Sequence, residues 1–255
     1  MDGKKILNLD KMNEKVIGYI NTLRAAPEKL VEILEEHLEN FIDNSNYYKD
    51  VKLNRRVFTS EGKAAVLEAL DFIRDKARKV LVRLEPRRGL VKSASAQVKH
   101  IISSNSISHV GPGGENMETR ITTAMNSPGS CAEAIVLGEC YSKRIFLNML
   151  IDDGLKHRPH RNIMLSPDLE AFGMALEPHP TKQYIAVLHF FAEPEPSIHY
   201  RFPETPLDEE PWPENANALE KQYYQHTMGD QDFKKCKYIY SFPNSEETLV
   251  REYQL

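Results

Sequence analysis

The sequence predicts a mixed domain of the α+β class, in which the helices come first and the strands come late. Apolar residues recur at helical spacing in several segments before residue 151. Two β-rich segments, separated by a short turn, follow after residue 170. With 255 residues, the chain is long enough for one large domain or two small ones.

The first predicted elements are two consecutive helical segments between Asn13 and Phe41. Pro27 suits the first turn of the second segment, because its missing N–H is not needed there. We expect the residues that recur at helical spacing to face the core: Leu30, Leu34, Leu38 and Phe41.

Two further helices are predicted before a long loop. One runs from an N-cap at Thr59 or Ser60 to about Leu84, and the next runs from Leu90 to about Ser103. Residues 104–130 are rich in Gly, Ser, Asn and Pro, which favours a long ordered loop.

The last helix and the strands complete the predicted domain. A helix is expected from Ser142 to Leu150, and strands are expected at 172–176 and 184–191. The short connection between the two strands favours an antiparallel hairpin.

Composition narrows the class of protein. Hydrophobic residues make up 41% and charged residues 27%, which is typical of globular proteins, and the net charge of −4 gives no support for nucleic-acid binding. No apolar run is long enough to span a membrane, and the N-terminus lacks the apolar core of a secretory signal. The three cysteines, Cys131, Cys140 and Cys236, are unlike a disulfide framework. We therefore expect a reducing compartment, with the cytoplasm favoured.

The composition changes near residue 195, which divides the chain into three parts: an N-terminal segment (1–13), a domain (14–195) and a C-terminal extension (196–255). The extension begins rich in proline and acid and continues with aromatic residues. It is too small and polar to be expected to fold as an independent domain.

Four motifs then occur in a distinctive order. They are Ser108–Gly114 with the trailing Arg120, Cys131–Gly138, Leu150–Gly154 running into Arg158–Ile163, and Phe172–Ala175 with Tyr184–Ala192. In this order they resemble the CAP superfamily, which comprises the cysteine-rich secretory, antigen-five and pathogenesis-related proteins. The resemblance implies a three-layer α-β-α sandwich with a cleft.

The same resemblance implies a cleft tetrad of two histidines and two acidic residues, which falls on His109, Glu133, Asp152 and His160. Asp153 is an alternative to Asp152. His109 and His160 with a carboxylate could hold zinc and leave one position open for water. The alternative is that each histidine only orders a loop through hydrogen bonds.

Two other features suggest partners. Basic residues concentrate in the predicted helix before Leu84 and in its exit: Arg74, Lys76, Arg78, Lys79, Arg83, Arg87 and Arg88. They form either a solvated face or a docking site for an acidic protein surface or anionic lipid. Aromatic residues of the extension, among them Trp212, Tyr223 and Tyr224, either anchor another protein chain or fold back over the sandwich.

These observations favour an intracellular, non-enzymatic CAP-domain protein that serves as a binding or structural component of a larger assembly. A cytoskeletal or ciliary assembly is the suggested setting. The alternatives are a zinc-dependent hydrolase that uses the tetrad and a lipid or sterol carrier.

Overall fold

The computed structural model describes residues 8–43, 45–76 and 80–193, together with the backbone of residues 218–228, 231–241 and 248–254. In the first three ranges, the helices are α1 (Leu9–Ala25), α2 (Val31–Glu39), α3 (Lys63–Asp71), α4 (Arg88–Ser104), α5 (Met117–Met125), α6 (Ser142–Ile151) and α7 (Pro159–Met164). The strands are β1 (Tyr47–Asp50), β2 (Arg55–Phe58), β3 (Glu85–Pro86), β4 (Ser130–Leu137), β5 (Ala171–His179) and β6 (Gln183–Ala192). A short 3-10 helix (Pro27–Leu30) precedes α2, and a π-helical turn (Phe72–Lys76) follows α3.

A four-stranded sheet forms the middle layer, in the order β3-β5-β6-β4. Strand β6 pairs antiparallel with both β5 and β4, and β3 pairs parallel with β5. The register places Glu133 of β4 opposite His189 of β6, which in turn lies opposite Gly173 of β5. Strands β1 and β2 form a separate antiparallel hairpin.

Helices cover both faces of this sheet. On one face, residues of α1, α2, α3 and α6 share a core with Ala134, Met174 and Leu188. On the other face, α4 packs against Ala175, Ile185 and Val187, and α5 packs beside it. Because alternate residues of a strand point to opposite faces, each strand contributes side chains to the cores on both faces of the sheet. The predicted α-β-α sandwich is confirmed.

Glycine at one strand position allows α4 to approach the sheet closely. A Cβ atom at Gly173 would lie 2.5 Å from the backbone nitrogen of Val91 and 2.6 Å from the Cβ of Leu90. A side chain there would therefore push α4 away from the strand on which it packs.

The prediction of one long helix up to Leu84 was wrong. Helix α3 begins after Gly62 rather than after a Thr59 or Ser60 cap, and the helical backbone ends with the π-helical turn at Lys76. Leu81 donates its backbone N–H to the Arg24 carbonyl. Asn21 exchanges two side-chain hydrogen bonds with the backbone of Leu84. These contacts with α1 hold the segment extended instead of helical.

Arg24 is the centre of this arrangement. Its side chain is fully buried and donates hydrogen bonds to four backbone carbonyls, those of Val82, Met164, Ser166 and Leu169. One guanidinium thereby joins α1 to the end of α7 and to two connecting segments. Val80 and Val82 in the extended segment are 78% and 71% exposed.

The predicted basic helix is therefore divided. Arg74 lies in the π-helical turn and pairs with Glu35, Arg83 lies in the extended segment, and Arg87 and Arg88 lie at the start of α4. Arg78 and Lys79 lie outside the described residues, and so does the side chain of Lys76. One continuous helical docking face is not present in the described part of this segment.

Several further elements were not predicted. The expected loop at 104–130 contains α5, which Asn116 caps by accepting the N–H of Thr119. Helix α7, strands β3 and β4 and the β1–β2 hairpin were not predicted either. The N-terminal helical segments, α4, α6 and the β5–β6 hairpin were predicted correctly.

The C-terminal strands form a second, separate sheet with the order β7-β8-β9. These strands are β7 (Ala218–Met228), β8 (Gln231–Ser241) and β9 (Thr248–Gln254), and neighbours are antiparallel. Tyr223 and Tyr224 lie on β7, whereas Trp212 lies outside the described residues. Among the helices that are described, none is both long and apolar enough to cross a membrane.

We predict that Arg24→Met lowers the free energy of unfolding by about 3 kcal/mol, because it leaves four backbone carbonyls without their donor. Urea denaturation followed by circular dichroism measures this change. The matched control is Arg74→Met, which removes a half-exposed arginine and should cost about 1 kcal/mol or less. Equal losses in the two variants would contradict the role assigned to Arg24.

Candidate functional site

The first part of the candidate site is built around Glu133 on the edge strand β4. Its neighbours Ala134 and Val136 belong to the core shared with α1 and α6, whereas Ile135 and Leu137 pack with α4. Glu133 has the same strand parity as Ile135, so its side chain points to the α4 layer. Its carboxylate is fully buried.

Three side chains surround this carboxylate. Nδ1 of His109 lies 2.6 Å from Oε1, and Nε2 of His189 lies 2.7 Å from Oε2. Arg120 of α5 donates from Nη2 to Oε2 over 2.5 Å. Both carboxylate oxygens are therefore engaged.

The electrostatics of the cluster follow from this arrangement. Burial alone would raise the pKa of Glu133, but hydrogen bonds from His109 and His189, with the charge of Arg120, lower that pKa to about 2. The hydrogen bond to Glu133 raises the pKa of His109. Burial lowers the pKa of His189, which favours its neutral form. An ionised carboxylate thus lies between cationic Arg120 and two imidazoles of different character.

His109 is the one member of this cluster that reaches solvent substantially, since its side chain is 62% exposed. Its loop is held by Gln97 of α4, whose amide nitrogen donates to the carbonyls of Ser108 and Val110. Arg120 also donates to the carbonyl of His109 itself. With Nδ1 directed to Glu133, Nε2 is the ring nitrogen left for other contacts.

The second part of the site is the pair Asp152 and His160. Asp152 ends α6 in the left-handed conformation, with φ of 55°. Its carboxylate accepts hydrogen bonds from Nδ1 and the backbone N–H of His160, at 2.6 and 2.7 Å, and from the N–H of Arg161 at 3.3 Å. Asp152 therefore binds the first turn of α7.

Asp153, the alternative to Asp152, has a different role. Its two carboxylate oxygens accept the backbone N–H groups of Ser60 and Glu61, at 2.6 and 2.8 Å. It ties the end of α6 to the segment before α3. Asp152, not Asp153, is the partner of His160.

The structure brings the four predicted residues together as two pairs and not as one metal-binding group. His109 and Glu133 belong to the α4 layer, and Asp152 and His160 belong to α6 and α7 in the other layer. In the described part of the chain, no hydrogen bond or ion pair links the pairs, and no three His, Cys, Asp or Glu residues are arranged to hold one metal ion. A zinc site that leaves one position open for water needs about three converging protein ligands, so these residues do not fit the predicted zinc site.

Comparison with known proteins identifies the family of the chain. Residues 17–191 match the family model described as CAP, the cysteine-rich secretory protein family. The chain belongs to the CAP family.

Among solved structures, an outer surface protein from Borrelia burgdorferi is similar to this CAP chain. The two are 16% identical, the match covers 53% of this chain and 96% of that one, and the TM-score is 0.39. A likeness at this level adds nothing to the family assignment. No curated protein matches the chain.

His189 was not predicted as a member of the CAP domain's buried cluster, and Arg120 was predicted only as part of a motif. His189 is the one basic residue in the apolar run from Tyr184 to Ala192. A histidine at the centre of a buried strand needs a polar partner, and this was the available signal. Its Nδ1 has no hydrogen-bond partner among the described residues, while its Nε2 reaches Glu133.

A second polar cluster in the CAP domain was also missed. A cavity of about 280 Å³ lies between the β1–β2 hairpin, α2 and α6, and its lining includes Tyr48, Arg55, Glu139 and Arg144. Burial raises the pKa of Glu139, although both arginines lie close to its carboxylate. Burial, with the nearby charge of Arg144, lowers the pKa of His37 to about 3. This cluster attaches the hairpin to the domain.

We predict a pH dependence of stability that depends on His109. Because its pKa is raised in the folded state, its contribution is complete below the ordinary pKa of 6.5 and is lost as the pH rises through the folded value. Urea denaturation from about pH 5.5 to about pH 8.5 should therefore show the stability of the wild type falling relative to that of His109→Gln as the pH rises.

The matched control is His100→Gln on α4, a histidine with no carboxylate partner in the described part of the chain. It should keep the pH slope of the wild type. If His109→Gln also keeps that slope, the contact between His109 and Glu133 does not stabilise the fold as described.

Proposed function

We propose that this chain is a non-enzymatic CAP-domain protein that acts inside the cell as a binding or structural component of a larger protein assembly. The observation that carries the proposal is the engagement of both candidate carboxylates in internal contacts. Glu133 accepts from three basic side chains, and Asp152 accepts from His160 and the backbone of α7. Each acts as a clamp between elements.

Because of these internal contacts, neither carboxylate is available for acid–base chemistry on a substrate. A general acid or base must come within hydrogen-bond reach of a substrate, but the carboxylates of Glu133 and Asp152 are no more than 1% exposed. His109 is oriented by Glu133 in the manner of a catalytic histidine. The adjacent hydroxyl of Ser108 accepts the N–H of Val110 and has no described contact with the imidazole. A binding role is therefore favoured over hydrolysis.

Other features are consistent with a role in an intracellular assembly. Cys131 and Cys140 are free thiols, and burial raises the pKa of each, which makes them poorly reactive. The C-terminal extension adds a second sheet, and β7 includes the adjacent Tyr223 and Tyr224. We propose that this extension contacts other protein chains, with a cytoskeletal or ciliary assembly as the setting.

The test is co-purification of the tagged full-length chain from cell extract, followed by size-exclusion chromatography and mass spectrometry. We expect a complex of defined composition that remains with His109→Ala. Removal of residues 196–255 should release partners, whereas a normal far-ultraviolet spectrum would verify that the remaining domain is folded. Full recovery of partners without the extension would contradict its proposed role.

The companion measurement is hydrolysis of ester, peptide and phosphoester substrates by the purified chain. We expect the wild type and His109→Ala to be indistinguishable, because no turnover depends on the imidazole. A hydrolytic rate that falls by about tenfold or more in the variant would contradict the non-enzymatic proposal.

A further inference from the structure

The β1–β2 hairpin presents two different faces. Tyr48 and Asp50 on one face are buried, and Arg55 on the same face bonds to Asp50 and to the carbonyl of Gly138. The opposite face is exposed. It consists of Tyr47 and Lys49 from β1 with Arg56 and Phe58 from β2.

The two outer edges of the hairpin also differ. The outer edge of β1 is paired with the segment that precedes the hairpin. The carbonyl of Tyr47 accepts the N–H of Ile42, and the N–H of Lys49 donates to the carbonyl of Asn40. These bonds show that Tyr47 and Lys49 direct their backbone groups away from β2. In an antiparallel pair, their partners Phe58 and Arg56 direct theirs away from β1.

The outer edge of β2 is therefore open. The small sheet contains only β1 and β2, and within the described residues no hydrogen bond reaches the backbone N–H or carbonyl groups of Arg56 and Phe58. Both residues are exposed. An edge strand with unpaired backbone groups is a template for an added strand.

The side chains beside this edge indicate what that strand should carry. Lys49 and Arg56 lie directly opposite each other, and neither has an ion-pair partner in the described ranges. Like charges in this position repel, so a carboxylate placed near both would be favourable. Beside them, the rings of Tyr47 and Phe58 are 5.3 Å apart in an edge contact and remain 43% and 61% exposed.

We propose that the open edge of β2 binds an extended acidic segment of a partner protein as a third strand of the hairpin sheet. The backbone of the segment would pair with Arg56 and Phe58, its carboxylates would lie against Lys49 and Arg56, and an apolar side chain would cover the aromatic pair. This inference rests on the proposed binding function and names a surface and a partner class for it.

Two other occupants fit the surface less well. A second copy of the hairpin would bring Lys49 and Arg56 against the same positive charges. An anionic bilayer gains about 1 kcal/mol from each nearby cation, so the two on this face would hold it weakly. A bilayer also offers no strand to pair with the backbone of β2, whereas strand addition satisfies it.

The test uses a fluorescein-labelled octapeptide with the repeat Glu-Thr-Val-Thr, which places glutamate and valine on the same face of a strand, and fluorescence anisotropy with the full-length chain. The double variant Lys49→Glu with Arg56→Glu should lower the affinity by about tenfold or more. The matched control is Lys92→Glu with Lys99→Glu, which makes the same change in net charge on exposed positions of α4. It should change the affinity by about twofold or less.

Three further measurements make the test decisive. Arg56→Glu alone should give a partial loss, which guards against misfolding of the double variant. A peptide with the same glutamates but proline in place of valine should bind poorly, because it lacks the N–H groups for pairing. In the free chain, the amides of Arg56 and Phe58 should exchange rapidly with solvent.

Several results would overturn the proposal. They are no peptide binding by the wild type, equal losses in the two double variants, equal binding of the proline peptide, and slow exchange at Arg56 and Phe58. Loss of binding to phosphatidylserine vesicles in the hairpin variant, without peptide binding by the wild type, would assign the surface to membranes instead. Partner complexes that survive the hairpin variant but need the extension would overturn this inference and leave the proposed function intact.

Discussion

The buried carboxylate of Glu133 is the constraint on which the candidate site depends. A buried carboxylate is tolerated only when its charge is balanced and its oxygens are hydrogen-bonded. Cationic Arg120 and the imidazoles of His109 and His189 meet this need from three different elements. The same contacts fix α5, the loop after α4 and strand β6 around β4. The interaction thus organises this side of the domain and at the same time removes Glu133 from solvent.

Asp152 is a second buried carboxylate with internal partners, and it lies in the other helical layer. It ends α6 in a left-handed conformation and binds the first turn of α7, so the motif around it has an evident structural purpose. Arg24 and the Glu139 cluster are further buried charges that join distant segments. In this CAP domain, histidines and carboxylates that could support chemistry are used to connect loops and helices, and this supports the proposed binding role.

Much of the fold could be predicted because the motifs occur in a recognisable order and the β5–β6 hairpin has a clear local pattern. The end of α3 could not, since it is decided by Arg24 contacting Val82, 58 positions away. The position of the Glu133 side chain depends on which residues of β4 face the α4 layer. Without knowing that Ser130–Leu137 is a strand, the face to which Glu133 points could not be inferred, and His189, 56 positions from Glu133, could not be recognised as its partner.

The most direct test of the two-pair arrangement is nitrogen NMR of the imidazoles of His109 and His160 during a titration with zinc chloride. The account predicts that Nδ1 of each ring keeps its hydrogen bond to its own carboxylate, and that any shifts of the two rings follow separate curves. If both Nε2 resonances move along one curve with a single midpoint, and either histidine substitution abolishes it, the two pairs form one metal site and the account is wrong.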